Sequence, residues 1–476
     1  MTSPLTNDIH SLPTETLSDI FRFAVAAVTP KFWQLTSAPL LQTELERVAN
    51  APLLILSRVC SRWHDIAINN PTFWSDVEIN GVSGRTPSAL EKTIRLLSAR
   101  LERSHDAPLS VSLTCEDSQP PHTRIFHLLA QHSHRWENVC VVCSLEGLDT
   151  SVLRGRLLLL KKLELNIPSE TVDFFGIAPR LDNLCITAPL LHSESFGLIL
   201  RRKQLRSFGC VVMFRREFQD AISLLPKLPA ATDFYLTIDL DRRIFQPHWT
   251  MPLRLPSITA PISTFACRTV AKFHPHHLSL ALDQIFASLT LPKLRQVLLG
   301  CSVYPQLVLE WPHTQFLALC ERSDLGCCLK TLRIAEVRIA ERDLLEILSV
   351  LKALEHLEVG DAPGNVGESN DCELVLITDS FLRAMTWAPA QDCLVQRLSY
   401  FACVSRLVFT HSLVVDFVTS RLARLPDSPI RFHVCIHPLP ESDACLDSAA
   451  HTRLWELVAG NKQFVYQSGE EYVQIQ

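Results

Sequence analysis

The N-terminal part of the chain contains two amphipathic segments, IHSLPTETLSDIFRF at residues 9–23 and APLLILSRVCSRWHDIAINNPTFWSDVEI at residues 51–79. Their apolar residues recur at the three- and four-residue spacing of one helical face. These positions are Leu17, Ile20 and Phe21 in the first segment, and Leu56, Val59, Cys60, Trp63, Ile66 and Ala67 in the second. Pro13 precedes the first pattern and Pro71 follows the second, so each segment is predicted to form a short helix.

The order of residues in the two segments resembles the F-box, a small helical module that docks substrate receptors onto the adaptor subunit of SCF-type ubiquitin ligases. The matching residues are Leu12, Pro13, Glu15, Leu17, Ile20, Phe21, Leu56, Val59, Cys60, Trp63, Ile66, Ala67, Pro71 and Trp74. The resemblance implies a cullin partner reached through the adaptor. It also implies an adaptor surface formed by Leu12, Pro13, Glu15, Leu17, Ile20, Leu56, Val59, Cys60 and Trp63.

A module this small cannot bury all of its large apolar side chains against itself, so some of them are expected to contact a partner helix. The sequence leaves open which face is core and which is interface.

Residues 24–50 separate the two segments and exceed the tight turn of a minimal F-box. We interpret them as an insertion, partly helical at residues 40–48, that packs over its own domain; a separate binding loop is the alternative. The helical domain is placed at residues 9–79.

Short apolar strands alternate with amphipathic helices from residue 85 to residue 437. Strands are predicted at residues 108–115, 136–143, 160–167, 180–186, 204–210, 232–238, 262–267, 293–299, 329–335, 354–360 and 406–410. The units are roughly twenty to forty residues long, which overlaps the leucine-rich-repeat range at its short end. Such units bury their faces only by stacking, so their strands are expected to align into one parallel sheet backed by helices.

The predicted fold class is therefore α/β: a small N-terminal all-α module, then a curved leucine-rich-repeat-like solenoid at residues 85–437. Residues 438–476 are expected to form a C-terminal cap or tail, because terminal repeats need covering. Residues 242–261 and 361–373 break the rhythm and are predicted to be long loops. The whole arrangement resembles fungal F-box proteins that carry degenerate leucine-rich repeats.

Composition excludes several classes of protein. The apolar fraction of 47% and the charged fraction of 20% are typical of an ordered protein rather than a disordered one. The net charge of −5 disfavours a nucleic-acid or membrane-surface partner. The 16 cysteines lie mostly in apolar surroundings, and no apolar run is long enough to span a bilayer. We therefore expect reduced thiols and a cytoplasmic or nuclear location.

The motifs of familiar catalytic sites are missing from the sequence, among them G-x-S-x-G, the phosphate-binding G-x-x-x-x-G-K and H-E-x-x-H. Cys140 and Cys143, with His132 and His134 just upstream, are the one spaced cysteine pair. A zinc site needs four ligands, and a three-residue spacing on a strand points the two side chains to opposite faces, so core thiols are the preferred interpretation. We expect no enzyme activity, no cofactor and no metal.

These observations favour a substrate-recognition subunit of an SCF-type ubiquitin ligase. Residues 9–79 would dock the adaptor, and the repeat array would bind a target protein. The alternative is a repeat-scaffold interaction protein whose F-box is vestigial. An enzyme is a third, distant option.

Overall fold

The computed structural model of the chain describes residues 9, 12–28, 52–80, 87–114, 121–143, 148–166, 173–213, 215–239, 255–270, 275–301, 309–335, 337–361, 375–387, 394–423, 432–438, 445–461 and 464–468. Contacts divide the chain into two compact units. Residues 1–184 and 192–199 belong to the N-terminal unit, and residues 185–191 and 200–475 belong to the C-terminal unit.

The N-terminal unit begins with a helical module, which contains α1 (Thr14–Val28), α2 (Pro52–Leu56) and α3 (Ser61–Asn69). Helix α1 extends to residue 28 and so includes the first residues that the sequence assigned to the insertion. Residues 29–50, which contain the rest of the insertion, lie outside the described residues. Helix α3 ends where the Asn-Asn-Pro sequence predicts, because Asn70 is extended and Pro71 begins a 3₁₀ turn.

Four parallel strands follow the helical module in the same unit. The elements of this region are β1 (Asp76–Asn80), α4 (Pro87–Arg103), β2 (Leu109–Thr114), α5 (Pro121–Gln131), β3 (Trp136–Val142) and β4 (Lys162–Leu165). The strands pair in the order β1-β2-β3-β4, and every pair is parallel. One apolar row, Val77, Val111, Val139 and Leu163, runs across the sheet in register and is buried. Alternate side chains of each strand therefore form the core.

Strand β5 (Asn183–Thr187) and helix α6 (Glu194–Arg202) contain residues of both units. The remaining elements are β6 (Ser207–Val212), α7 (Arg215–Ser223), β7 (Asp233–Asp239), β8 (Ile258–Thr259), β9 (Thr264–Val270), α8 (Pro275–Ser288), β10 (Leu289–Thr290), β11 (Gln296–Cys301), β12 (Leu309–Glu310), α9 (His313–Ser323), α10 (Leu325–Cys328), β13 (Thr331–Ala335), β14 (Val337–Arg338), α11 (Glu341–Val350), β15 (His356–Gly360), α12 (Asp379–Met385), β16 (Tyr400–Ser405), α13 (Ser412–Ala423), β17 (Phe432–Pro438), α14 (Ser448–Gly460) and β18 (Phe464–Ser468).

The C-terminal unit is built on a parallel sheet in the order β6-β7-β9-β11-β13-β15-β16-β17-β18. Two short parallel pairs, β8 with β10 and β12 with β14, lie outside this order. One row of the sheet is apolar on every strand and at most 3% exposed: Phe208, Phe234, Phe265, Val297, Leu332, Leu357, Phe401, Val434 and Tyr466.

Helices pack on that apolar row. The ring of Phe286 on α8 lies 6.2 Å from that of Phe265, and the ring of Phe417 on α13 lies 5.4 Å from that of Phe401. The α/β class, the parallel sheet and the N-terminal helical region are confirmed. The leucine-rich-repeat assignment and the curvature stay predictions.

One predicted strand is wrong in position. The segment 406–410 was expected to be a strand, but β16 ends at Ser405, and Leu407 has a φ of 54°, in the left-handed region that an extended strand does not use. The alternation that forms the strand lies just upstream, in the sequence YFACVS. The C-terminal segment, predicted as a cap or tail, contributes α14 and β18, and β18 pairs with β17.

The two predicted loops lie largely outside the described residues. Of residues 242–261, the structure describes 255–261, which include β8; of residues 361–373, it describes only Asp361, which is buried. No described helix combines the length and the apolar character needed to cross a bilayer.

Candidate functional site

The described residues of the helical module form an apolar core of their own. The core consists of Leu17, Phe21, Leu53, Ile66, Ala67, Phe73 and Trp74, with Leu12, Leu54, Leu56, Trp63 and Ile68 packed against it. Leu17 and Phe21 have no exposed surface. These two residues are four apart on α1, so they mark the face of that helix that packs on α2 and α3.

Aromatic contacts fix the packing of this core. The ring of Phe21 lies 4.9 Å from that of Trp63 in an edge-on arrangement and 6.4 Å from that of Phe73. The indole nitrogen of Trp74 donates to the carbonyl oxygen of Ala67 at 3.0 Å. The buried indole of Trp74 thus has the hydrogen-bond partner that such a group requires.

Hydrogen bonds define the ends of the helices. The backbone nitrogen of Leu17 donates to the carbonyl oxygen of Pro13 at 3.0 Å, and the guanidinium of Arg62 donates to the carbonyl oxygen of Leu12. Cys60 is extended and caps α3, because its Sγ accepts from the backbone nitrogen of Trp63 at 3.5 Å. The Leu-Pro entry and Cys60 therefore have structural roles in the module.

The expected adaptor contacts differ widely in exposure. Pro13 and Glu15 are exposed, and the side chains of Ile20 and Val59 are 39% and 53% exposed. Four others are half-buried: Leu12, Leu56, Cys60 and Trp63. Leu17, also expected at the surface, is 0% exposed, so the structure places it in the core, where it supports the surface from beneath.

Two further apolar side chains on α1 and α2 are exposed that the sequence reasoning did not include. Phe23 is 77% exposed and Ile55 is 52% exposed. Phe23 lies three residues after Ile20, and Ile55 lies four residues before Val59, so the same helical spacing could have identified both. We name Ile20, Phe23, Ile55 and Val59 the exposed apolar set. A module that buries its core and leaves these four large apolar side chains in water, besides Ile9 at 43% exposure, has the character of an interaction surface.

The helical module is attached to the sheet of its own unit. Strand β1 follows it directly and pairs with β2, from Asp76 opposite Ser110 to Asn80 opposite Thr114. The guanidinium of Arg103 on α4 lies 4.6 Å from the centre of the Trp74 ring. Cation–π stacking and strand pairing together join the module to the following repeat-like region.

A family model described as F-box-like matches residues 9–80. Residues 9–80 form an F-box-like domain. The match starts at Ile9 and ends at Asn80, the last residue of β1, so it includes the insertion and one residue beyond the predicted boundary. No curated protein matches the chain.

The cysteine pair that the sequence raised as a metal site lies in the interior. Cys140 and Cys143 are 7% and 5% exposed, and neither forms a disulfide bond. Cys140 on β3 lies directly opposite Glu164 on β4, and its thiol forms a hydrogen bond to that carboxyl group. Burial raises the pKa of Glu164 to about 7, and it also raises the pKa of the Cys140 thiol. The thiol therefore keeps its proton at neutral pH, and the carboxyl group keeps its proton up to about pH 7.

Proposed function

We propose that the chain is a substrate-recognition subunit of an SCF-type ubiquitin ligase. The F-box-like domain docks the adaptor, and through it the cullin, while the parallel-sheet region binds a target protein. The observation that supports adaptor docking is the exposed apolar set. None of its four residues belongs to the described core of the domain. Pro13 and Glu15 are exposed, and Leu12, Leu56, Cys60 and Trp63 are half-buried, so each retains surface that an adaptor can contact.

The exposed apolar set supports docking by its size. Complete burial of one large aliphatic or aromatic side chain contributes about 1.5–3 kcal/mol. Phe23, at 77% exposure, offers most of that gain, and Ile55 and Val59 offer about half of it each. An aromatic anchor surrounded by aliphatic side chains is a common composition for the centre of a helix-in-groove interface.

The proposed target surface is the face of the C-terminal sheet opposite the buried apolar row. The side chains on this face alternate with that row along each strand and include polar and aromatic groups. Tyr400 lies between His356 and His433, with ring centres 5.6 Å and 5.4 Å away, and Arg333 pairs with Glu358 at 3.2 Å. We propose that the chain does no chemistry itself and raises the target's effective concentration near the ubiquitin-loaded partner, in the cytoplasm or nucleus.

Co-purification of the full chain with the adaptor and cullin tests the docking half. The double variant Phe23→Ser with Val59→Ser removes apolar surface and leaves the core untouched, so we expect it to lose both partners. Val408→Ser is the matched control, because Val408 is 66% exposed but lies in the C-terminal unit. Retention of the adaptor by the double variant, or its absence from the wild type, would refute docking.

The alternative is a repeat scaffold whose F-box-like domain only covers the edge of the sheet. The pairing of β1 with β2 and the contact between Arg103 and Trp74 favour it. Deletion of residues 1–80 does not separate the two functions, since it also removes β1 from the sheet. The surface variants do separate them, because a covering domain needs none of the exposed apolar set.

A further inference from the structure

One imidazole and two carboxylates meet on the helical side of the C-terminal unit. His313 is the first residue of α9, and Asp343 and Glu346 lie one turn apart on α11. The Nε2 atom of His313 lies 3.1 Å from Oε2 of Glu346 and 3.9 Å from Oδ1 of Asp343. One ligand atom from each residue can be chosen so that all three lie within 4.8 Å of one another.

The charges of this cluster do not balance. Within the described part of the chain, His313 is the one basic group that pairs with either carboxylate. Its Nδ1 atom is buried and has no hydrogen-bond partner there. The cluster has two carboxylates and one imidazole, so even a charged ring would balance only one of the two acidic groups.

A second histidine–carboxylate pair in the same unit shows the ordinary arrangement. The Nδ1 atom of His411 lies 3.1 Å from Oδ2 of Asp447, and its Nε2 atom lies 3.2 Å from the carbonyl oxygen of Leu407. Both ring nitrogens have partners, and a single carboxylate is present. This pair has one carboxylate rather than two and no unpartnered nitrogen, so it provides a control.

We propose that His313, Asp343 and Glu346 bind a divalent transition-metal ion, with Zn²⁺ as the best fit. Ligand bonds of about 2.0–2.2 Å at tetrahedral angles bring the ligand atoms about 3–4 Å apart, close to the observed separations. An imidazole ligand favours Zn²⁺ over Mg²⁺ or Ca²⁺, which prefer all-oxygen sites. Three protein ligands leave a fourth position for water.

The ion would supply the positive charge that the cluster lacks, and it would join two helices. Helix α9 precedes β13 and helix α11 precedes β15, and these two strands are neighbours in the sheet. The metal therefore links consecutive strand–helix units, which fixes their stacking. Its partial exposure, 19% for the side chain of His313 and 49% for that of Glu346, leaves a path for the ion to enter.

Metal titration of the chelator-stripped full chain tests the proposal. Zn²⁺ is titrated in competition with a chromophoric chelator, and we expect one ion to bind at this site. Loss of a direct ligand should weaken binding by more than the roughly 10–100-fold that loss of a ligand's hydrogen-bonding partner costs. Glu346→Gln and His313→Gln should therefore lose the site, whereas His411→Gln should keep it.

The cysteines of the chain are the main competitors for zinc. Substitution with Co²⁺ distinguishes a site of nitrogen and oxygen ligands from a site of thiolate ligands by its absorption spectrum. A site of one nitrogen and two oxygens gives visible cobalt bands without the near-ultraviolet thiolate-to-cobalt absorption. Thermal melts check folding, and Zn²⁺ should raise the melting temperature of the wild type but not that of Glu346→Gln. If His313→Gln fails to fold, the zinc affinities of Glu346→Gln and Asp343→Asn test the proposal instead. Unchanged zinc affinity in those variants, no binding by the wild type, or thiolate absorption alone would overturn the proposal.

Discussion

Leu17 and Phe23 lie six residues apart on the first helix and have opposite environments. Leu17 is completely buried among α1, α2 and α3, whereas Phe23 is 77% exposed. Helical spacing shows that both belong to an amphipathic pattern, but the spacing alone does not say which stripe meets the neighbouring helices. The sequence therefore predicted Leu17 as an adaptor contact and missed Phe23, and only the packing of α1 separates the two.

This separation makes a prediction about stability. Leu17→Ala should lower the free energy of unfolding by about 2–5 kcal/mol, because it leaves a cavity in the core. Phe23→Ala should change it by less than about 0.5 kcal/mol, because the side chain contributes little to folding. Urea unfolding of the full-length variants measures both. Equal losses would place Phe23 in the core and contradict the assignment.

Glu164 gives a prediction about pH. The buried carboxyl group has a pKa raised to about 7 from its usual 4.5, chiefly by burial, with the hydrogen bond from Cys140 opposing the shift. Between these two pH values the unfolded chain has released the proton and the folded chain retains it, so stability falls as pH rises and levels off above pH 7. At about 1.4 kcal/mol per pH unit, the difference corresponds to roughly 3 kcal/mol.

Glu164→Gln should remove this fall, because an amide does not titrate. The measurement is the free energy of unfolding from pH 4.5 to pH 8 for both proteins, with the variant expected to be the more stable at neutral pH. Identical slopes for wild type and variant would show that Glu164 ionises normally in the folded chain.

At the scale of elements, buried arginines fasten one strand–helix unit to the next. The guanidinium of Arg135 donates to the carbonyl oxygens of Ser104 and Ala107. That of Arg421 on α13 donates to the carbonyl oxygens of Met385, Leu394 and Val395. Each arginine thus ties its own unit to backbone carbonyl groups that lie about 26 to 36 residues earlier in the chain.

Arg421 also stabilises an unfavourable backbone conformation. Val395 has a φ of 50°, and a β-branched residue is rarely found there. We expect Arg421→Met to lower the free energy of unfolding by at least about 3 kcal/mol, since it removes the buried hydrogen bonds of a charged donor, which contribute about 1.5–3 kcal/mol each. Arg124→Met, which breaks an exposed ion pair with Glu91, should have no measurable effect. Similar melting temperatures for the two variants would contradict this role.

The strands were largely predictable, because alternating apolar residues determine both their position and their buried face. The predicted segments 232–238 and 329–335 lie within two residues of β7 and β13. Buried polar groups were not predictable from the sequence, because their burial depends on tertiary hydrogen bonds. Asp361 was predicted to begin a loop, yet its carboxylate is buried and accepts from the backbone nitrogens of Leu376, Ile377 and Arg406. No local pattern predicts such a group.

At the scale of the whole molecule, the proposed function assigns docking and target binding to different regions. The F-box-like domain was recognised from the sequence because its motif depends on helical spacing, which is local. The composition of the exposed apolar set was only partly predicted, since exposure depends on how α1, α2 and α3 pack. The target surface was not predicted, because a parallel sheet brings together side chains that lie tens of residues apart in sequence.

Isothermal titration of the full chain with the purified adaptor tests the docking claim most directly. The account predicts one-to-one binding by the wild type, an affinity loss of more than about tenfold, or 1.4 kcal/mol, for the double variant Ile20→Ser with Phe23→Ser, and no loss for Leu158→Ser. Leu158 is 54% exposed in the same unit but lies outside the domain, so it controls for the loss of an exposed apolar side chain. A wild-type chain that fails to bind, or a double variant that binds equally well, would contradict the account.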